Sequence, residues 1–180
     1  HLSDILKKMD PKDIPDNFVK IVKRNIISED VSVLGKIKYD DKVLHRSKVI
    51  KIFTEKNPNK KKIKKDFSNV YKKIKRNKKY FISIKDIIVL ESLVVDGMSL
   101  PQGLNYEELS SELTVPRNLQ NLVDQNQIGM VMLKIIEIIG EDDVQNLDPE
   151  TIYFLNKILN QLKIKKIRNQ ILSQALPLRV

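Results

Sequence analysis

The sequence predicts an all-α protein, an irregular array of helical hairpins in the manner of an α-solenoid or TPR-like stack, with little or no β structure. Three observations carry that prediction. Apolar residues recur at spacings of three and four rather than alternately, caps and breakers punctuate the chain at short intervals, and the last helical segments are apolar enough to need helical neighbours. No W-x-x-L-G or A-x-x-x-F signature recurs, so the array is irregular.

The first element opens at Asp10-Pro11, a cap followed by a proline in the first helical position, and Phe18, Ile21, Val22 and Ile26 share one face. After a turn over "ISEDVSVLGK", Leu44, Val49, Ile52 and Phe53 predict a second helix that stops before the breaker Asn57-Pro58-Asn59. The run "SVLGKIKY" is the one strand candidate. His45, alone in its segment, reads as a boundary residue rather than a ligand.

The next stretch, Asn57 to Tyr80, holds eleven Lys or Arg residues and a single acid, Asp66. Ile63, Phe67, Val70, Tyr71 and Ile74 fall on one face of a helix, and lysines fill the rest. This is a core-docked amphipathic helix whose basic face is what a partner would meet. Ser83 with Asp86 then resembles a capping box, and Gly97 stands where a left-handed terminator belongs. Between them Ile84, Ile87, Ile88, Val94 and Val95 surround the helix, which predicts a central position and a hairpin with the basic helix.

The composition changes near 98–103, which divides the chain into a basic helical subdomain, 1–100, and an acidic, apolar helical-hairpin subdomain, 101–180, packed as one unit. Asn105 with Glu108 starts a short helix carrying Tyr106, Leu109 and Leu113; Leu119, Leu122 and Val123 mark another. "GMVMLKIIEII", between Gly129 and Gly140, is apolar on nearly every side, which predicts a helix enclosed by others. Asp148-Pro149 opens the final segment. At about 100° per residue, Ile152, Leu155, Leu159 and Leu162 occupy one sector, whereas Ile164, Ile167, Ile171 and Ala175 lie almost opposite. A turn near 162–165, folding the two halves together, resolves that change of phase.

From Pro116 to Val180 the pattern of an apolar helix ending in Gly, an acidic loop, Asp-Pro and a helix hairpin resembles the closing helix pairs of uncharacterised helical-repeat proteins of alphaproteobacteria. The resemblance implies a helical-repeat fold and no known activity, and it assigns no functional residue.

Charge is unevenly placed. Residues 1–90 carry 25 Lys or Arg against 11 Asp or Glu, and residues 91–180 carry 8 against 12. Such asymmetry points to an acidic partner for the front of the chain or to pairing between copies. Composition offers a competing account: 27 of the 33 basic residues are Lys, Ile occurs 24 times and Ala once, as an AT-rich genome would produce. A surface built for bidentate phosphate or base contacts uses more Arg.

The chemistry-bearing signatures are missing. There is no cysteine, Walker loop, G-x-G-x-x-G, G-x-S-x-G or H-E-x-x-H, and the acids Asp142 to Asp148 lack the EF-hand ladder. No catalytic residue, metal ligand or cofactor is expected. No apolar run reaches the length of a bilayer span. The chain opens on His1 rather than Met, which predicts a piece of a longer or processed bacterial protein and leaves its compartment open.

The function expected from these features is a non-catalytic protein-interaction or scaffold module. Its contact face comprises Lys60, Lys61, Lys64, Lys65, Lys72, Lys75, Arg76 and Lys79, and its partner is an acidic protein or a second copy. Non-specific binding of RNA or DNA through the same face is the alternative. It ranks second because the spacing of Phe67, Tyr71, Tyr80 and Phe81 points those rings to the core rather than to bases.

Overall fold

Helix periodicity in the sequence becomes helix in space over most of the described residues. The computed structural model describes residues 36–180, apart from 102, 103, 105, 141 and 142, and residues 36–180 form one unit by themselves. The helix expected from Asp10 to Ile26 and the cap expected at Asn105 lie outside the described residues.

The described elements run in this order. A short strand β1 (Ile37–Lys38) leads into two 3₁₀ turns (Leu44–Arg46 and Lys48–Ile50) and helix α1 (Lys51–Thr54). Then come α2 (Lys60–Arg76), α3 (Ile84–Val95), α4 (Tyr106–Leu109), α5 (Arg117–Asp124) and α6 (Ile128–Ile139). A 3₁₀ turn (Val144–Asn146), α7 (Pro149–Gln161), α8 (Lys165–Ala175) and strand β2 (Leu178–Arg179) close the unit. The strands pair antiparallel, Ile37 with Arg179 and Lys38 with Leu178, and so tie the start of the unit to its end. The strand candidate noted in the sequence contributes β1. Among the described residues all else is helix, turn or loop, so the fold is all-α.

The single helix expected from Leu44 to Phe53 is broken instead into two 3₁₀ turns and α1. Ser47 is the reason. Its hydroxyl donates to the Leu44 carbonyl (2.8 Å) and accepts from the Val49 amide (3.3 Å), closing one turn and capping the next. The apolar side chains still reach the core: Leu44, Val49, Ile50, Ile52 and Phe53 are all buried.

Two apolar clusters organise the packing. The first joins those residues to Ile63, Phe67, Val70 and Ile74 of α2, the buried side of α3, and Ile152, Tyr153, Leu172 and Ala175 from α7 and α8. The second gathers Leu119 of α5, Val131 and Ile135 of α6, Leu155, Ile158 and Leu159 of α7, and Ile171 of α8. α7 therefore faces both. The central position expected for α3 holds along most of its length, with Ile87 to Leu93 buried, although Val95 at its end is exposed.

The hairpins α5–α6 and α7–α8 are closed by the same turn. In the first, Asn126 adopts a positive φ of 54°, its amide bonds the Val123 carbonyl, and the Gln127 amide bonds Leu122. In the second, Lys163 has φ 58°, with Lys163 to Asn160 and Ile164 to Leu159 in the equivalent places. Both are Schellman motifs, and each leads into the next helix after the same number of residues. Superposing the turns in register matches buried Leu119 with Asn156, Val131 with Arg168, and Ile135 with Leu172.

The enclosed position expected for α6 is corrected by the structure. Val131 and Ile135 are buried, but Met130, Leu133 and Ile136 face outward, the last two 61% exposed. The helix is apolar on nearly every side, yet the described residues cover only the side that meets α5 and α7.

Candidate interaction surface

α2 begins where Asn59 turns its side chain onto the Lys62 amide (3.1 Å), a local cap that needs no tertiary help. Burying Ile63, Phe67, Val70 and Ile74 fixes the rotation of the helix against the core. All eight expected contact residues, Lys60, Lys61, Lys64, Lys65, Lys72, Lys75, Arg76 and Lys79, are exposed as a result. Seven lie on α2 itself, six of them on the side away from the buried stripe and Lys60 beside it, and Lys79 follows its C-terminal end.

The arrangement is electrostatically unfavourable for an isolated helix. Lys60, Lys61 and Lys62 crowd the positive end of the helix dipole, and the first turn holds no acid. Lys60 and Lys64, Lys61 and Lys65, and Lys72 and Arg76 stack like charges four residues apart. Relief within the unit is slight. Lys60 donates to the Asp96 carbonyl (3.3 Å), and Lys73 approaches Asp41 at 3.9 Å. Asp41 also lies 3.6 Å from Lys48, so one carboxylate serves two cations loosely. These groups, with Asp66, Asn69, Lys72 and Arg76, line an open cleft of about 380 Å³ along the C-terminal half of α2.

Phe81 is not where spacing placed it. Phe67 is buried and stacks with Tyr71 at 6.2 Å, and Tyr80 packs against the core, but Phe81 is 86% exposed. Residues 80–83 run without helical hydrogen bonding, and Tyr80 and Ile82 turn inward with Phe81 between them facing out. The two sides are pinned. Tyr80 donates its hydroxyl to Asp86 Oδ2 (2.8 Å) and accepts from the Leu44 amide (3.0 Å), while Ser83 and Asp86 complete the capping box of α3.

The same Asp86 binds His45. Its Oδ1 meets the His45 amide at 2.9 Å and Nδ1 at 2.7 Å, and Ser83 Oγ approaches the same Nδ1 at 3.3 Å. Serine, histidine and aspartate thus converge, but not as a hydrolytic triad, which needs serine and carboxylate on opposite ring nitrogens. Here both compete for one. Burial opposes ionisation of Asp86, but the His45 side chain, the Ser83 amide and Tyr80 outweigh it and hold the carboxyl below the usual aspartate range. The knot fastens the 44–46 turn to the start of α3. Burial, reinforced by the Asp86 charge, pushes the Tyr80 hydroxyl well above the ordinary tyrosine value.

A second polar network lies deeper. Arg168 is 1% exposed and spans to Asp96 Oδ2 (2.9 Å), Asn160 Oδ1 (2.9 Å) and Asn169 Oδ1 (2.8 Å), with its guanidinium 5.8 Å over the Phe53 ring. Nearby, Ser92 donates to Asn156 (2.8 Å) and Asn156 to Glu91 (3.3 Å). Burial raises the Glu91 carboxyl above its ordinary value, against the opposing pull of Lys157 and the neighbouring amides. These contacts lock α3, α7 and α8 in register. They are structural, and no sequence motif announced them.

Among the described residues, no group of three or more His, Cys, Asp or Glu side chains is placed to share a metal ion, and no helix is long and apolar enough to cross a membrane. No family model, curated protein or solved structure matches the chain.

Proposed function

We propose that the chain is a non-catalytic interaction module, built as an irregular helical-hairpin array, that holds a polyanionic partner on the exposed face of α2. One observation carries the reading: the first-turn lysines of α2 oppose the helix dipole, like charges stack four residues apart along the helix, and few carboxylates are in reach. A polyanion removes that repulsion on binding, and the released counterions add to affinity. The repeated Schellman turns of α5–α6 and α7–α8 support the array. Of the two kinds of partner, an acidic protein and a nucleic acid, the outward Phe81 favours the second.

The test is titration of polyglutamate and of oligonucleotides at about 50 and 200 mM salt. The triple variant Lys64→Gln, Lys72→Gln, Lys75→Gln should weaken whichever polyanion binds and flatten its salt dependence. These side chains are exposed, so folding is unaffected. No binding of any polyanion at the lower salt, or unchanged binding by the variant, rejects the proposal.

A further inference from the structure

The geometry points to single-stranded nucleic acid as the polyanion, with Phe81 as the platform on which one base stacks; this rests on the proposed role of the α2 face. A single-strand site needs cations that follow the backbone and an aromatic ring presented flat to a base. The cations are those of α2, continued past its end by Lys78 and Lys79, which are exposed. Phe81 follows Arg76 by five positions, so its Cα lies no more than about 18 Å from that of the last residue of the basic helix, a span of a few nucleotides.

The backbone that carries the ring is fixed. It is anchored by the Tyr80 hydroxyl on one side and the capping box of α3 on the other, so little backbone freedom is lost when a base arrives. Alternation along 80–83 sends Phe81 outward as Tyr80 and Ile82 pack on the core, and the described residues leave the ring 86% exposed. The adjacent cleft gives the backbone a place to lie. The Lys48 amide holds Asp41 Oδ1 at 3.3 Å, but the ammonium groups of Lys48 and Lys73 reach Asp41 Oδ2 only at 3.6 and 3.9 Å, beyond hydrogen-bonding distance, so a phosphate can compete with that oxygen for both.

Other partners fit less well. Duplex bases are already stacked and offer the ring no free face. An acidic peptide satisfies the lysines but leaves Phe81 in water. A membrane surface uses an apolar face several residues wide beside its cations, whereas the apolar face of α2 is spent on the core and Phe81 stands between two inward side chains.

The chain contains no Trp, so Phe81→Trp installs a single fluorescent reporter at the proposed stacking position. The probes are an oligothymidylate of roughly 12 nucleotides, an abasic deoxyribose-phosphate strand of equal length, the corresponding duplex, and vesicles of phosphatidylserine and phosphatidylcholine. At about 50 mM salt the base-bearing strand should bind about 5- to 150-fold more tightly than the abasic one. It should also quench the Trp where the abasic strand does not. Phe81→Ala should abolish that margin while leaving abasic binding unchanged, and Phe81→Tyr should retain it. Equal binding of the two strands, or a preference that survives Phe81→Ala, overturns the inference but leaves the polyanion face standing. A Trp response to vesicles alone reassigns Phe81 to a lipid surface and also overturns it. Failure of both strands and of every other polyanion to bind removes the underlying reading together with this one.

Discussion

Asp96→Asn removes one carboxylate that faces two cations, and the structure sets the size of the loss. Asp96 Oδ2 lies 2.9 Å from Arg168 Nη2 and 2.8 Å from Lys165 Nζ, with the Asp96 side chain 4% exposed, Arg168 1% and Lys165 49%. The Lys165 arm is half in water and contributes roughly 0–1 kcal/mol. The Arg168 arm is dry, and removing one member of a dry pair leaves an uncompensated buried charge, at a cost of about 3–5 kcal/mol. The guanidinium keeps Asn160 and Asn169, and the new Asn side chain can still accept through its oxygen, so the lower end applies: about 3 kcal/mol. With a urea slope of about 1–3 kcal/mol per molar, the midpoint falls by roughly 1–3 M. The melting temperature drops by about 6–12 °C. Adding Arg168→Met to Asp96→Asn takes away the stranded charge and should recover part of the loss. Urea unfolding followed by circular dichroism decides the matter. A loss below about 0.5 kcal/mol, the level of a solvated pair, or a double variant no better than Asp96→Asn, refutes the argument that this pair is a dry internal tie.

Two further predictions concern burial. The folded state holds the Glu91 proton more tightly than the unfolded chain, so stability falls as pH rises from about 4.5 through the raised native value. Glu91→Gln keeps an oxygen for Asn156 and should therefore be more stable than the parent at pH about 7, with the difference gone below about pH 4, as read from urea midpoints at the two pH values. On α6, Leu133→Lys should change stability by no more than about 0.5 kcal/mol, whereas Ile135→Ala, two residues on and buried, should cost about 2–5 kcal/mol. Similar costs for the two in thermal melts would mean that the outward face of α6 is wrongly placed.

What could be read from the sequence was local. The basic helix with its buried stripe, the Ser83–Asp86 capping box, the Asp148-Pro149 start and the turn at 162–165 each depend on residues within a few positions of one another. The features that escaped depend on distant partners. Phe81 faces outward because Tyr80 is drawn inward by the Leu44 amide, 36 residues away, and by Asp86. Arg168 sits in "KIKKIRNQ", which reads as one more basic run until Asp96, 72 residues earlier, meets it in the interior. The likeness of the two C-terminal hairpins is hidden because their matched interior positions differ in type, Val131 against Arg168 and Leu119 against Asn156, while the turns agree. For α6, all-round apolarity measured the demand for neighbours, and the described residues meet it on one side only.

The division of the interior between two clusters also sets how the unit comes apart. α5 and α6 contribute no buried side chain to the cluster formed with α1, α2 and α3, and they are held through the second face of α7. The α5–α6 hairpin can therefore lift away as a cooperative segment while Ile152 and Tyr153 stay packed against the first cluster. Its opening bares Leu155, Ile158 and Leu159 of α7 to water, where the same hairpin of another copy in the opened form can take its place.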